Sequence, residues 1–229
     1  MLIANIAPRS MGKTTDTGWM LHALYEAEAP DGTKKYKPRG YDADHSRQLH
    51  TWATGPGEFP MPVELAATAR FHREVHPPEG WISVVDCGHT ENHPDITDSV
   101  LRVADLVILH LTPSTADIQR VVDPPVGVPI ADMVARSAAL RPDSKAPPAW
   151  ALLNRVVPPR TEAGAGVKRN AKSTVDARDW LESEGWRVLD TTIRTVEDFK
   201  QSIGQPITDA SSTEFGDLIR ELENRGLLK

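Results

Sequence analysis

Short β-forming runs alternate with stretches of helical periodicity along most of the chain, and this alternation restricts the fold more than any other feature. The runs that we predict to be strands are Leu2–Ile6, Trp81–Asp86, Leu106–Leu111, Trp150–Asn154 and Trp186–Leu189. Strands that are separated by helices in this way are typical of a mainly parallel sheet. The sequence therefore predicts an α/β fold, in which a mainly parallel, twisted β-sheet is flanked by helices on both faces.

The helices are predicted from apolar residues that recur at helical spacing. They are Thr14–Ala27, Val63–Val75, Pro94–Val103, Ser114–Val122, Pro129–Leu140, Lys172–Glu184, Val196–Ile203 and Glu214–Leu228. We find no internal repeat and no convincing linker. A chain of 229 residues suits one α/β domain, so residues 1–229 are expected to form a single domain.

A phosphate-binding motif lies where the first predicted strand meets the first predicted helix. The pattern G-x-x-x-x-G-K-[ST] is matched by APRSMGKT (Ala7–Thr14), with alanine in place of the first glycine. Gly12 lets the backbone approach a phosphate, Lys13 supplies a charge for the outer phosphates, and the Thr14 hydroxyl can ligate Mg²⁺. A chance Gly-Lys-Thr at a helix start is the alternative. The position of the motif between a predicted strand and an amphipathic helix favours a nucleotide site.

Acidic residues near two further segments could complete this site. Asp86 ends the run WISVVD, where a carboxylate would be a partner of Mg²⁺; otherwise it caps a turn. Asp42 and Asp44 lie two residues apart. They would share a face at a strand end, where a carboxylate could orient the attacking water, and a solvated acidic loop is the alternative. His89 and His93 fit a polar loop better than a metal site.

Composition narrows the class of protein further. Apolar residues make up 39% of the chain, which supports a buried core, and no apolar run is long enough to cross a membrane. The single cysteine, Cys87, excludes an internal disulfide framework and fits a reducing cytoplasm, where we expect the protein. The net charge of −6 argues against a wholly basic nucleic-acid binder but permits a local basic patch.

Between Asn154 and Thr174 the charge of the chain reverses locally. The cations of this segment outnumber its acid, Glu162, and they are Arg155, Arg160, Lys168, Arg169 and Lys172. Such a cluster can contact DNA phosphates without reading the base sequence. Lys168, Arg169 and Lys172 are therefore the candidate DNA-binding residues, and a solvated loop with incidental charge is the alternative.

Several segments, in order, resemble the ParA/MinD group of P-loop ATPases with a deviant Walker A loop, a group that includes plasmid and chromosome partition proteins. The segments are PRSMGKTT, YDADHSRQLHTWA, WISVVDCGHT, VADLVILHLTPSTADIQRV, ALLNRVVPPRTEA and VLDTTIRTVEDFKQSIGQPI. Together they cover most of the chain. No helix-turn-helix extension precedes the phosphate loop, so the chain is most similar to a short partition protein of the ParA type.

The resemblance implies a function and a set of partners. Proteins of this group bind ATP and Mg²⁺, form a homodimer when ATP is bound, and hydrolyse ATP slowly to ADP. The dimer would bind DNA without sequence preference, in association with the nucleoid. A centromere-binding adaptor similar to ParB would stimulate hydrolysis, and no membrane partner is expected.

The resemblance also assigns site residues by their position in the motifs. The nucleotide would be held by Arg9, Ser10, Met11, Gly12, Lys13, Thr14, Thr15, Arg155, Pro158 and, at the edge of the adenine, Asn154. Thr14 would ligate Mg²⁺, and Asp86 would reach the metal through water. Lys13, Asp44 and Asp42 form the catalytic set, in which Asp44 would position the hydrolytic water.

The phosphate loop departs from the pattern of the group just before Met11. The group's signature lysine falls on Pro8, and its next two glycines fall on Arg9 and Ser10. In the group this lysine reaches the phosphates bound to the partner subunit, which proline cannot do. Arg9 is a candidate replacement, because a guanidinium can hold phosphate oxygens with two donors. A surface position without phosphate contact is the alternative for Arg9.

Two other classes of function stay open. A small-molecule kinase or an amide-forming ATPase on a related fold would need an acceptor pocket, and we find no clear set of substrate-binding residues. A nucleotide-gated DNA-binding module that hydrolyses little ATP would fit the altered loop.

Overall fold

The computed structural model describes residues 1–157 and 172–228. Its strands are β1 (Leu2–Ala7), β2 (Pro38–Ala43), β3 (Val63–Leu65), β4 (Ile82–His89), β5 (Leu106–Leu111), β6 (Ala149–Val156) and β7 (Arg187–Arg194). Within the described residues they form one seven-stranded sheet in the order β3-β2-β4-β1-β5-β6-β7, and all neighbouring strands are parallel. The sheet confirms the predicted α/β class.

Helices cover both faces of the sheet. They are α1 (Lys13–Glu26), α2 (Gln48–Thr54), α3 (Phe71–Glu74), α4 (Pro94–Leu101), α5 (Thr115–Val122), α6 (Ile130–Ser137), α7 (Lys172–Ser183), α8 (Glu197–Lys200) and α9 (Glu214–Asn224). Short 3₁₀ turns follow α6 at Ala138–Leu140 and precede α9 at Ala210–Ser212. In the part of the chain that the structure describes, no helix is long and apolar enough to cross a membrane.

Two apolar layers lie on opposite faces of the sheet, because successive residues of a strand point to opposite sides. In β1, Ala4 and Ile6 join the layer that includes residues of α4, α5, α6 and α7. Ile3 joins the layer that includes residues of α1, α2 and α9. All residues of β1 are buried. The centre of the sheet is therefore covered on both faces, and polar groups can reach solvent only at the ends of the strands.

The predicted helix Val63–Val75 is wrong. Val63–Leu65 is the edge strand β3, and within the remainder only Phe71–Glu74 is helical. Strand β3 pairs with β2 through Gly40 opposite Val63 and Asp42 opposite Leu65. This pairing outweighs the local helical periodicity, as tertiary contacts often do.

Other differences concern short elements. The sequence predicted no helix at α2. It did not predict β2 outright, and the shared face of Asp42 and Asp44 was expected only if a strand ended there. Strand β2, PRGYDA, has no β-branched residue, so its composition does not favour a strand. Strand β5 has the predicted bounds, and the remaining predicted helices and strands are present with shifted ends.

The strand order brings polar residues from several strands to one edge of the sheet. Parallel strands end at the same edge, and β1 lies between β4 and β5. In the register of the sheet, Asp86 lies beside Asn5 on one side and beside Asp42 on the other. The loop after β1 and the turns after β2 and β4 therefore meet at the carboxyl edge.

The packing of α1 on α2 can be tested by substituting Gly18. A Cβ at Gly18 would lie 2.5 Å from Cζ3 and 2.8 Å from Cη2 of the buried Trp52. In a helix, alanine is normally about 1 kcal/mol more favourable than glycine. Here we expect Gly18→Ala to lower the free energy of unfolding by about 1–3 kcal/mol, because the new methyl group overpacks the core. Urea unfolding at equilibrium measures the difference.

A Trp52→Leu background is the matched control for this substitution. Leucine removes the ring atoms that a Cβ at Gly18 would meet, so Gly18→Ala should cost less there than in the wild-type protein. A Gly18→Ala protein that is as stable as wild type, or more stable, would contradict the packing described.

Candidate nucleotide-binding site

The loop between β1 and α1 has the form of an anion-binding site. Strand β1 ends at Ala7, Pro8 is buried, and Arg9 and Ser10 are exposed. Helix α1 begins soon afterwards, at Lys13. The first amides of a helix have no partner within the helix, so they and the helix dipole attract an anion. The loop can therefore receive a phosphate at this point.

The backbone of the loop does not require the glycines that the motif has lost. Ala7 stands at the first glycine of the motif and is the last residue of a strand. Ala7, Arg9 and Ser10 are not among the residues with positive φ. Gly12 does have a positive φ, +92°, and a Cβ on it would lie 2.5 Å from Nδ2 of Asn154. Conformation and space both require glycine at position 12.

Lys13 and Asp86 form the charged centre of the site. The exposed fraction is 4% for Lys13 and 1% for Asp86. Burial raises the pKa of Asp86 to about 7, while the Lys13 ammonium and the Thr14 hydroxyl act in the opposite direction. The Thr14 hydroxyl is near enough to favour the charged form, yet neither carboxylate oxygen of Asp86 has a partner at hydrogen-bond geometry among the described residues. A buried carboxylate in this state is costly until a ligand supplies charge or donors.

The residues at this centre fit a hydrated Mg²⁺. This ion keeps several waters, uses few protein ligands and completes its shell with phosphate oxygens. The Thr14 hydroxyl and the unpartnered oxygens of Asp86 are oxygen ligands of the kind that Mg²⁺ prefers. The described residues hold no cluster of three or more His, Cys, Asp or Glu side chains that could bind a metal. A magnesium ion here would therefore depend on a phosphate ligand.

The carboxylate of Asp42 is hydrogen-bonded to backbone amides of the following turn. It is fully buried in β2, and its carboxylate accepts hydrogen bonds from Asp44 N at 3.1 Å and from His50 N at 2.8 Å. Burial raises the pKa of Asp42, and these two hydrogen bonds oppose the shift. Both of its oxygens therefore hold the turn between β2 and α2.

Asp44 lies beyond the end of β2 and close to the end of β4. It is half-buried, and its Oδ1 accepts a hydrogen bond from Ser46 N at 2.9 Å. A Cβ on Gly88 would lie 3.8 Å from Cγ of Asp44. The charge of Asp44 contributes to the raised pKa of Asp86. Asp42 and Asp44 are thus both near Asp86, with Asp42 buried in the strand and Asp44 beyond its end.

Histidines connect the loops around this centre. Oγ of Ser10 lies 3.4 Å from Nε2 of His89, the last residue of β4. The rings of His45 and His93 pack edge to face with their centroids 4.5 Å apart. These contacts join the phosphate loop, the turn after β2 and the turn after β4.

A cleft of about 400 Å³ opens beside Gly12, which is enough for a nucleoside. Its walls are Gly12, Thr15 and Asp16 near the start of α1, Asn154 and Arg155 at the end of β6, and residues between Arg194 and Ile203. The sequence predicted Gly12, Thr15, Asn154 and Arg155 as binding residues. It missed Asp16 and the wall formed by Arg194 of β7 and the residues up to Ile203, because no phosphate- or metal-binding motif marks these positions.

Asn154 is directed into the phosphate loop. Its Nδ2 donates to Met11 O at 2.8 Å and to Oδ2 of Asp16 at 2.6 Å, and its Oδ1 accepts from Arg155 N at 2.7 Å. Both amide hydrogens are therefore used within the protein. An adenine edge could be read only by the second lone pair of Oδ1, which can accept from an amino group.

Other predicted residues lie apart from this cleft or outside the described chain. Pro158, Lys168 and Arg169 lie outside the described residues. Lys172 is exposed in the first turn of α7, where its Nζ lies 2.5 Å from Oδ2 of Asp176. An exposed pair of this kind contributes little to stability.

Comparison with known proteins finds relatives by structure. No protein-family model and no curated protein matches the sequence. McdA from Cyanothece, without nucleotide, matches with a TM-score of 0.67 and 14% identity, over 97% of this chain and 96% of that one. A plasmid partition protein from Borrelia burgdorferi, bound to AMPPNP, matches with a TM-score of 0.64 and 10% identity, over 98% of both chains.

MinD from Pyrococcus furiosus matches with a TM-score of 0.59 and 16% identity, over 98% of this chain and 99% of that one. The chain has the fold of the ParA/MinD ATPases. Cobyrinic acid a,c-diamide synthase from Mycobacterium smegmatis, with an ATP analogue and magnesium, shares this fold at a TM-score of 0.60 and 14% identity. Two of these structures therefore hold an ATP analogue in this fold, one of them with magnesium, and proteins with different roles share the fold.

Asp86→Asn tests the magnesium centre. Asparagine keeps the volume and removes a carboxyl group whose pKa is raised to about 7, so that its charged form is disfavoured in the fold even with Lys13 nearby. The nucleotide-free protein should therefore be at least as stable as wild type near neutral pH. Its affinity for ADP in the presence of Mg²⁺ should fall by about 10-fold or more, because a partner of the metal is lost. Thermal unfolding measures the stability, and titration calorimetry with Mg²⁺ or with EDTA measures the affinity.

Asp44→Asn is the matched control, since it neutralises a neighbouring carboxylate that is not assigned to the metal. Its ADP affinity should respond to Mg²⁺ as that of the wild type does. If Asp86→Asn showed the same response to Mg²⁺ as the wild type, the assignment of Asp86 would be wrong.

Proposed function

We propose that this protein is a DNA partition ATPase of the ParA type. Mg²⁺ and ATP bind at the loop between β1 and α1, and ATP binding brings two copies of the chain together. The dimer binds DNA without sequence preference, in the cytoplasm and in association with the nucleoid. Slow hydrolysis to ADP, stimulated by a centromere-binding adaptor similar to ParB, returns the protein to its starting state.

The main support for a nucleotide site at this loop is the burial of Lys13 and Asp86 near each other. Lys13 stands at the N-terminus of α1, where the helix favours an anion, and Asp86 presents two oxygens without partners among the described residues. A triphosphate with its magnesium ion satisfies both groups at once. Lys13 then contacts the outer phosphates, Thr14 ligates the metal, and Asp86 reaches it through water.

Hydrolysis is assigned to the turn after β2. Asp44 is half-buried near Gly88, and the backbone amide of Ser46 holds one of its oxygens. The other oxygen can accept a hydrogen bond from the attacking water and so orient it. Asp42 supports this role from behind, because its carboxylate holds the amide of Asp44. Asp42 is thus a positioning residue in this proposal.

Arg9 is proposed to make the contact across the dimer. Pro8 is buried and carries no charge, whereas Arg9 is exposed next to it on the phosphate loop. A guanidinium in this place can reach a phosphate on a second copy of the chain and hold two of its oxygens. Dimerisation would then depend on ATP, since ADP lacks the terminal phosphate.

DNA binding is proposed for the basic segment that follows β6. The segment begins where β6 ends at Val156, next to Arg155 of the nucleotide cleft, and α7 begins at Lys172. Lys168, Arg169 and Lys172 are the candidate phosphate contacts. The pair of Lys172 with Asp176 is exposed, so a DNA phosphate can replace the carboxylate at little cost.

An amide-forming ATPase is the second candidate, because cobyrinic acid a,c-diamide synthase shares the fold. Such an enzyme, or a small-molecule kinase, would release ADP only in the presence of an acceptor and would not respond to DNA. A nucleotide-gated DNA-binding module would bind DNA with ATP and show no turnover. The partition ATPase should show weak turnover that rises with DNA and an adaptor.

Asp44→Ala separates ATP binding from ATP hydrolysis. The variant should bind ATP as wild type does and lose about 100-fold or more of its hydrolysis rate, because the attacking water is no longer oriented. A fluorescent ATP analogue measures binding, and phosphate release in the presence of DNA measures hydrolysis.

Lys13→Ala is the reference variant in this experiment, and it should lose both binding and hydrolysis. An unchanged hydrolysis rate in Asp44→Ala would remove the role of Asp44. Retained ATP affinity in Lys13→Ala would mean that the nucleotide does not bind at this loop.

Arg9→Ala tests the contact across the dimer. With a slowly hydrolysed ATP analogue, its dimer should dissociate about 10-fold more readily than the wild-type dimer, while the ATP affinity of the monomer changes little. Sedimentation velocity over a range of protein concentrations measures the dimer. Arg73→Ala, which removes an exposed arginine of α3, is the control. Equal dimerisation of Arg9→Ala and wild type would leave Arg9 as a surface residue without this role.

A further inference from the structure

A buried set of polar side chains lies beneath the phosphate loop and has no part in the mechanism above. His110 of β5 is 1% exposed, and Asp16 of α1 is 2% exposed. Nδ1 of His110 lies 2.7 Å from Oδ2 of Asp16, and the same oxygen accepts from Nδ2 of Asn154 at 2.6 Å. Three elements of the fold are therefore connected through one carboxylate oxygen.

These contacts are costly for stability alone. The side chains of Asp16 and His110 are both removed from water, and burying a carboxyl group and an imidazole is costly even where they contact each other. Nε2 of His110 is also buried, without a hydrogen-bond partner among the described residues. Apolar side chains of similar size would often stabilise such positions better than a buried polar set does. A role in the neighbouring site accounts for the polar residues.

The contacts converge on the backbone of the phosphate loop. Asp16 N donates to Gly12 O at 2.9 Å, while the Asp16 carboxylate holds the amide of Asn154. Asn154 in turn holds the carbonyl oxygen of Met11 at 2.8 Å. A carbonyl oxygen would repel a phosphate, and one that is held by an amide donor cannot turn toward it. The buried side chains thus hold the peptide group between Met11 and Gly12, while the backbone of α1 holds Gly12 O.

We propose that His110 is a positioning residue of the nucleotide site, which anchors Asp16 and Asn154 to β5 and through them fixes the phosphate loop at Met11 and Gly12. The inference rests on the proposed function, because it takes the loop to be the phosphate site. It also accounts for the histidine within the otherwise apolar strand LVILHL.

Two substitutions separate the hydrogen bond of His110 from the volume of its ring. His110→Asn keeps an N–H donor near the position of Nδ1, whereas His110→Leu fills the space without a donor. We expect His110→Leu to bind ADP about 10-fold or more weakly than wild type, and His110→Asn to stay within about 3-fold. The KM for ATP should rise in His110→Leu more than kcat falls, because the residue does not touch the reacting atoms.

Hydrogen exchange gives a measure that needs no nucleotide. Exchange of the backbone amides of residues 9–14 should be faster in nucleotide-free His110→Leu than in wild type, because the loop has lost its anchor. The same amides should exchange at the wild-type rate in His110→Asn.

A double substitution covers the case in which His110→Leu does not fold. That variant leaves the buried Asp16 carboxylate with one donor fewer, which can destabilise the protein strongly. Asp16→Asn together with His110→Leu removes the charge as well, and the double variant should fold. It should still show weak ADP binding and fast exchange in the loop, since the connection to β5 is absent.

Thr17→Val is the matched control, because it removes a buried hydrogen bond of α1 that does not lead to the loop. Oγ1 of Thr17 accepts from Nδ2 of Asn5 at 2.8 Å. Its loss should lower Tm and leave ADP affinity and loop exchange unchanged. Wild-type ADP affinity and loop exchange in His110→Leu, or in the double variant, would overturn the inference. If wild type itself bound no ADP, the proposed function would fail, and loop exchange would still decide whether His110 anchors the loop.

Discussion

The burial of a lysine beside an unsatisfied carboxylate, at the carboxyl edge of a parallel sheet, is the constraint on which the rest of this structure depends. Lys13 begins α1, and Asp86 stands on β4, the neighbour of β1. Burial raises the pKa of Asp86 to about 7, and its oxygens find no partner among the described residues. The two groups are placed for a ligand that brings negative charge to Lys13 and a cation to Asp86. In the proposed function a triphosphate with magnesium does both, and the turn after β2, the end of β4 at His89 and the phosphate loop are close together.

The centre of the sheet and its edge strand β7 could be predicted from the sequence, and the edge strand β3 could not. Strand β5 is an almost continuous apolar run because both of its faces are buried, and such runs are visible in the sequence. Strand β3 is three residues long and depends on pairing with β2, a contact between distant segments. The apolar spacing within Val63–Val75 is helical and carries no information about pairing with the distant strand β2. The sequence alone therefore indicated a helix.

In the candidate site, too, local sequence patterns could be predicted and contacts between distant residues could not. Gly12, Lys13 and Thr14 follow one another at a helix start, so their chemistry could be predicted from spacing. The contact between Asp16 and His110 joins residues 94 positions apart, and no sequence pattern indicates it. Asn154 was predicted for the adenine, yet its amide hydrogens serve Met11 and Asp16. One side chain therefore lies between the cleft proposed for the base and the loop proposed for the phosphates, and it connects the two.

Titration calorimetry of the wild-type protein with Mg²⁺-ATP, Mg²⁺-ADP and AMP tests the central assignment most directly. If the outer phosphates rest on the loop before α1, ATP and ADP should bind at one site per chain and at least about 100-fold more tightly than AMP. Equal affinities for the three nucleotides would contradict the placement of the phosphates at this loop. Absence of binding at millimolar Mg²⁺-ATP would contradict the nucleotide site as a whole.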